Sequence, residues 1–195
     1  RVGLSYFVPN YFHQIPRLCR DFMDIDVVVT TVSPMDGSGH FSFGTANDFI
    51  STAARCCKKL IVEVNESMPR VFGGSLLHLS EVDAIVENHC QLPEVPNAPP
   101  EPEDAVIGPL IAAQIPDGAT IQLGYGSLPA VVAGHLAGHK DLGIHTELLC
   151  SGMVDLIRKG AATGRRKTLH PRKHVFALAL GTREMYAFMD DNPSM

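Results

Sequence analysis

The chain has 195 residues, 45% hydrophobic and 19% charged, which is enough to bury the core of one large domain or two small ones. A net charge of −5 and a pI near 6.0 provide no global basic field, so a nucleic-acid partner is not expected. No apolar run approaches the roughly 18 residues of a membrane span, and the five cysteines, with Cys56 and Cys57 adjacent, fit neither a disulfide framework nor zinc spacing, so a cytoplasmic, metal-free protein is expected.

The chain opens on Arg1 without a methionine and moves at once into "VGLSYFVPNYF", which reads as a stretch cut from something longer. "IDVVVTTV" (Ile25 to Val32) and "LIVEV" (Leu60 to Val64) are β-branched runs of the kind buried in parallel sheets. Between them "ANDFISTAARCCKK" spaces Phe49, Ile50, Ala53, Ala54 and Cys57 at helical intervals, which predicts a β-α-β unit. The loops "SPMDGSGHFSFG" (Ser33 to Gly44) and "NESMPRVFGG" (Asn65 to Gly74) leave the two strands at their carboxyl ends, where ligand sites of open α/β sheets lie.

"LPEVPNAPPEPED", Leu92 to Asp104, carries five prolines and no apolar period, and reads as an extended linker. The expected organisation is a first α/β domain over 1–92, a linker over 93–104 and a second α/β domain over 105–195. In the second half "EDAVIGPLIAAQI" predicts a helix kinked or broken at Pro109, "DGATIQLG" a turn and strand, and "LPAVVAGHLAGH" a helix with Pro129 in its first turn. The strand "IHTELL" follows, then the helix "GMVDLIRKG" with Ser151 as N-cap and Gly160 as stop, and a last strand "HVFALAL" before "TREMYAFMDD". Alternating strands and helices predict mostly parallel sheets in both halves. The basic run Arg165-Arg166-Lys167, with Arg172 and Lys173 nearby, reads as a solvated connection.

Glu147 falls near the end of the "IHTELL" strand, where a carboxylate, ionised at neutral pH without help, can serve as nucleophile or base. By position alone a solvated or ion-paired glutamate at a strand terminus is the better explanation. The corner "QLGYGSLP" delivers a glycine-containing turn into a helix N-terminus, an arrangement that points backbone N–H groups at an anion or a developing oxyanion. Pro129 stands where a dinucleotide fingerprint needs Gly or Ala, and no G-K-[ST] follows, so neither dinucleotide nor P-loop binding is indicated. His135 and His139 lack the glutamate of a zinc protease and read as surface residues, while His145 can share the face of Glu147 or merely pack.

Taken together, "SPMDGSGHFSFG", "VNESMPR", "IQLGYGSLP", "DLGIHTELLCSGMVDLIRKG" and "KTLHP", in this order along the chain, resemble the acetyl-CoA hydrolase/transferase family of class I CoA-transferases, in particular its 4-hydroxybutyrate and butyrate branch. The resemblance implies CoA transfer between an acyl-CoA and a small carboxylic acid by a ping-pong route. Glu147 aligns with the catalytic glutamate, which carries CoA as a covalent glutamyl thioester. CoA is then a substrate, with no permanently bound cofactor. Gly124, Tyr125 and Gly126 match the oxyanion and CoA-binding corner, and Asn65, Met68, Pro69 and His145 match segments bordering the site. Ser151-Gly152 stands where the family usually has Asp-Gly, and Tyr125 is bulkier than the aliphatic residue common there. Relatives of about twice this length imply that the chain is a central stretch, its partial sheets leaving apolar edges open, with the rest of its parent chain and a homo-oligomer as expected partners. Acyl-CoA hydrolysis, or a non-catalytic CoA-binding or assembly role, are the alternatives.

Overall fold

The computed structural model describes residues 7–195, so the opening six, on which the reading of a cut end partly rests, lie outside the described residues. The first half begins with α1 (Ile15–Asp21), missed in the sequence although Pro16 in its first turn is well placed to start a helix. There follow β1 (Val27–Val32), β2 (His40–Ser42), α2 (Ile50–Cys56), β3 (Lys59–Val64), β4 (Leu76–His78) and β5 (Ala84–Glu87). β1, β3 and β5 form a parallel sheet in that order, with Val28 opposite Leu60 and Val62 opposite Ile85. β2 and β4 make a separate antiparallel ribbon that no period in the sequence marks. Its Phe41 and Leu77 close a core with Val32, Phe43, Leu60 and Val62, all nearly inaccessible to solvent. β1 and β5 are open edges, and Val27, Val29, Ile85 and Val86 remain exposed there.

The second half contains α3 (Asp104–Ala112), β6 (Thr120–Ile121), α4 (Ser127–His135), β7 (Gly143–Ile144), β8 (Leu148–Leu149), α5 (Ser151–Arg158), β9 (Leu178–Ala179) and α6 (Arg183–Met189). α3 passes through Pro109 without ending. The anticipated strand "IHTELL" is two short pieces, β7 paired with β6 and β8 paired with β9, both parallel. A bridge from His145 to Val175 joins the pieces into one path. Ile121, Leu136, Leu142, Ile144, Leu149, Met153, Leu156, Met185 and Met189 fill the core beneath α4, α5 and α6. Each fully buried aliphatic side chain of this kind contributes about 1.5–3 kcal/mol. Ser151 is not the N-cap of α5: Cys150 holds that position, and the Ser151 hydroxyl turns to the Met185 sulfur at 3.7 Å.

The proline-rich segment is seated rather than free over its first residues. Leu92 packs on the second core, the Pro93 carbonyl accepts from the Tyr186 hydroxyl (3.0 Å), and the Val95 amide donates to Gly181 (2.8 Å). The halves also join directly, because Thr45–Asn47 runs antiparallel to β9. Ala179 N–H donates to Thr45 O at 2.8 Å and Asn47 N–H to Ala177 O at 3.1 Å. Among the described residues no helix is long and apolar enough to cross a membrane.

Candidate active site

After β6 the chain turns through Gln122–Gly126 into α4. Gly126 has φ 137° and ψ 179°, a conformation that disfavours any side chain. Among the described residues the amides of Gly124, Tyr125 and Gly126 donate to no protein acceptor. They therefore add to the free N–H groups at the start of α4, and the corner presents donors to an incoming anion. The Tyr125 ring is half exposed, and its hydroxyl donates to the Pro96 carbonyl at 3.2 Å, tying the corner to the segment between the halves.

The neighbouring path carries Glu147. His145 N–H donates to Ile121 O (3.1 Å), which lays this path beside the corner. Thr146 is buried: its hydroxyl donates to Leu148 O at 3.0 Å and lies 3.5 Å from Leu123 O. The regular ladder fails here. Ala177 and Leu178 both donate to the Glu147 carbonyl, each at 3.0 Å. With Thr146 held inward, Glu147 faces out of the sheet, and among the described residues its exposed carboxylate has neither ion-pair nor hydrogen-bond partner. Glu147 thus sits in the break between β7 and β8, rather than at the end of one continuous strand as the sequence reading had it.

His145 shares this outward face. Partial desolvation and the positive groups of Lys167 and His170 push its pKa below the ordinary histidine value, which favours the neutral ring. Lys167 corrects the reading of the basic run as solvated. It is buried, and its ammonium donates to Ile144 O (2.8 Å) and Lys173 O (2.6 Å), while its stem lies across Gly143 so closely that a Cβ there would meet it at 2.4 Å. Arg165, Arg166, Arg172 and Lys173 are exposed as anticipated. His139, read as a surface residue, is half-buried with its ring nitrogen 2.9 Å from Ile115 O.

Asn65, Met68 and Pro69 gather behind the other side of the junction. Asn65 is fully buried: its Oδ1 accepts from Ser67 N–H (2.9 Å) and its Nδ2 reaches the Cys90 sulfur (3.5 Å). The Met68 sulfur accepts from the Thr45 amide at 3.4 Å, and a Cβ on Gly44 would overlap both Met68 and the Pro69 carbonyl. Met68 braces Thr45, in the segment that pairs with the strand beside Glu147, and Pro69 packs against Gly44 just before it, while the Asn65 side chain bonds to its own loop and to Cys90. Arg70, not singled out in the sequence, links the halves through Asp36 (2.7 Å) and Asp191 (2.9 Å). Among the described residues no cluster of three or more His, Cys, Asp or Glu side chains is placed to hold a metal ion.

Residues 1–96 match the model of the acetyl-CoA hydrolase/transferase N-terminal domain. Over 191 residues the chain is 44% identical to the succinyl-CoA:cyclohexane-1-carboxylate CoA transferase of Geobacter metallireducens, covering 98% of this chain and 44% of that protein. Among solved structures it resembles RipA from Yersinia pestis, at 49% identity and a TM-score of 0.96 over 98% of this chain and 45% of that one. It also resembles the 4-hydroxybutyrate CoA-transferase of Porphyromonas gingivalis, at 42% identity and a TM-score of 0.90 over 94% of this chain and 47% of that one. The chain belongs to the acetyl-CoA hydrolase/transferase family, and it has the mixed helix and strand fold, with parallel sheets, of CoA-transferases. It spans less than half the length of these relatives.

Proposed function

We propose that this chain carries the nucleophile and the oxyanion corner of a CoA-transferase acting on short-chain acyl-CoA and carboxylate substrates. The observation that carries the reading is the pairing of an unpartnered, outward carboxylate at Glu147 with the free amides of Gly124–Gly126 on the adjoining path. Such a pair supplies a nucleophile and an electrophile stabiliser. A Glu147 oxygen attacks the thioester carbonyl, and the C–S bond breaks to release CoA thiolate and leave an acyl-glutamyl anhydride. The thiolate attacks the glutamyl carbonyl, expelling the donor acid and leaving Glu147 as a CoA thioester. An acceptor carboxylate attacks that thioester to give a new anhydride and CoA thiolate. The thiolate then takes the new acyl group and frees the glutamate. No step consumes ATP, because activation passes between thioester and anhydride.

Each tetrahedral oxyanion in this sequence falls to the Tyr125 and Gly126 amides, each donor contributing about 3 kcal/mol. His145, Asn65, Met68 and Pro69 serve as borders of the site, by direct lining or through the Thr45–Asn47 brace. Residues 1–92 and 105–195 are read as the later part of a first domain and the start of a second, joined by 93–104. A cytoplasmic homo-oligomer, completed by the rest of a longer parent chain, belongs to the same reading.

The test is the denatured mass of the purified full-length parent protein before and after butyryl-CoA. We expect a CoA-sized adduct on the wild type and none on Glu147→Gln. A wild-type full-length protein that stays unmodified would sink the proposal. Since Glu147 is exposed to water, hydrolysis of the glutamyl thioester is the second reading; adduct decay that yields free CoA despite added acetate, with no acetyl-CoA, would favour it.

A further inference from the structure

Three residues from three strand paths form one row beside the site. The bridge from His145 to Val175 and the pairing of Leu148 with Leu178 place Ala177 opposite Glu147. The antiparallel bridge from Ala46 to Leu178 places Asn47 opposite Ala177. Asn47, Ala177 and Glu147 are thus successive across three neighbouring strand paths, with the row bulged at the glutamate, whose carbonyl accepts from both Ala177 and Leu178. Adjacent strands lie about 4.8 Å apart, so Asn47 and Glu147 stand about 10 Å apart at the backbone. Ala177, whose side chain ends at a methyl, is the residue between them in the row. Once both polar side chains reach inward, the gap suits a single carbonyl or carboxylate group.

The Asn47 carboxamide is unused. Its Oδ1 is buried without a hydrogen-bond partner, and among the described residues its Nδ2 has none either. Asn47 and Ala177 also line a cavity of about 370 Å³ between the halves, together with Gly73, Gly74 and His174. The Nδ1 of His174, a residue only 3% exposed, is unpartnered as well. A buried polar atom left without a partner costs about 1–3 kcal/mol, so such atoms are usually satisfied by something that binds.

We propose that Asn47 is a substrate-contacting residue of the Glu147 site, its Nδ2 donating to an oxygen of the acyl group held over Ala177 and its Oδ1 accepting an N–H of the same ligand. An acyl thioester of pantetheine presents both groups: a carbonyl to be attacked and amide N–H donors along its arm. The inference rests on the reading of Glu147 as the nucleophile. Asn47 transfers no proton and forms no bond; it orients the acyl carbonyl toward the carboxylate and shares the oxyanion charge with the corner amides.

The experiment compares wild type, Asn47→Ala, Asn47→Asp and Glu147→Gln for the rate of CoA-adduct formation from butyryl-CoA and for thermal unfolding. It also follows the side-chain amide resonances of Asn47 during titration with butyryl-CoA. Asn47→Ala should slow adduct formation about 100-fold, as loss of one oxyanion donor does, without lowering the melting temperature. Asn47→Asp should be at least as slow, because it sets a second carboxylate beside the first. Adduct formation at the wild-type rate in Asn47→Ala, with Glu147→Gln inert, overturns the role of Asn47 and leaves the glutamate reading standing. Parallel loss of adduct and melting temperature marks a structural residue and likewise overturns it. If the wild type forms no adduct, the glutamate reading fails, and Asn47 is judged by its resonances: a shift on butyryl-CoA supports a ligand contact, and unmoved resonances reject it.

Discussion

At the scale of single residues, the least anticipated feature is Lys167. A buried ammonium normally pairs with a carboxylate, yet this one is held by two carbonyls, one of which belongs to the strand that leads to Glu147. Its charge is felt by His145, whose pKa is lowered first by desolvation and then by Lys167 and His170. The sign follows from linkage. A histidine with a depressed folded pKa adds stability that is full above its unfolded value, about 6.5, and is lost as pH falls through the folded one. Lys167→Met removes one depressing charge and leaves the desolvation in place. The His145 ring should therefore titrate at higher pH in Lys167→Met than in the wild type, though not above the ordinary value. Proton NMR of the ring reads this directly, and a titration unchanged by the substitution would show that the two groups are not coupled. No periodicity marks Lys167, because its burial depends on the close approach that Gly143 permits.

At the scale of elements, the sequence is readable where burial is two-sided and opaque where the path bends. β1 and β3 stand where their β-branched runs lie, because a strand covered on both faces needs no pattern beyond apolarity. β2 and β4 escaped notice since each is only three residues long and lies among turn formers. The break at Glu147 was invisible for a different reason. "IHTELL" alternates well enough for one strand, and what interrupts it is the inward hydroxyl of Thr146 together with the doubled bond to the Glu147 carbonyl. The proline-rich segment shows the same limit: composition gives its extended character, but its docking comes from Tyr186, which accepts from Gly181 N–H (3.1 Å) and donates to Pro93 O (3.0 Å). Tyr186→Phe should cost about 1–3 kcal/mol, since the buried Gly181 amide loses its acceptor. It should also make the chain near Leu92–Pro96 cleave faster under limited proteolysis; an unchanged cleavage rate would mean that Leu92 and the Glu94–Arg183 contact hold the segment without the tyrosine.

At the scale of the whole molecule, the candidate site depends on how the halves meet, because Asn47 comes from one and Glu147 from the other. Two polar connections help to fix that meeting, besides the docked segment and the burial of Val71 in the second core. One is the short pairing of Thr45–Asn47 with β9. The other is Arg70, whose guanidinium binds Asp36 and Asp191, whose amide donates to Asp190 Oδ1 (2.8 Å), and whose stem carries its charge over the Phe72 ring at 4.8 Å. Asp36 is held far below the ordinary carboxylate range, first by the His40 amide, then by Ser38 and Arg70, so its contribution is present above about pH 4 and fades as acid protonates it. Arg70→Met keeps the unbranched stem and the backbone bonds but breaks both ion pairs. Each single exposed pair would be worth at most about 1 kcal/mol, but a partly buried network spanning two bodies also restrains their relative motion. Hydrogen exchange should therefore accelerate at the Asn47 and Ala179 amides in Arg70→Met, several-fold more than at Val62 and Ile144 within the two cores. Uniform acceleration would mean general destabilisation, and no change would mean that the strand pairing alone holds the halves in register. A selective increase would make the Asn47–Ala177–Glu147 row an assembled feature, one whose geometry an ion pair well away from the reacting atoms helps to set.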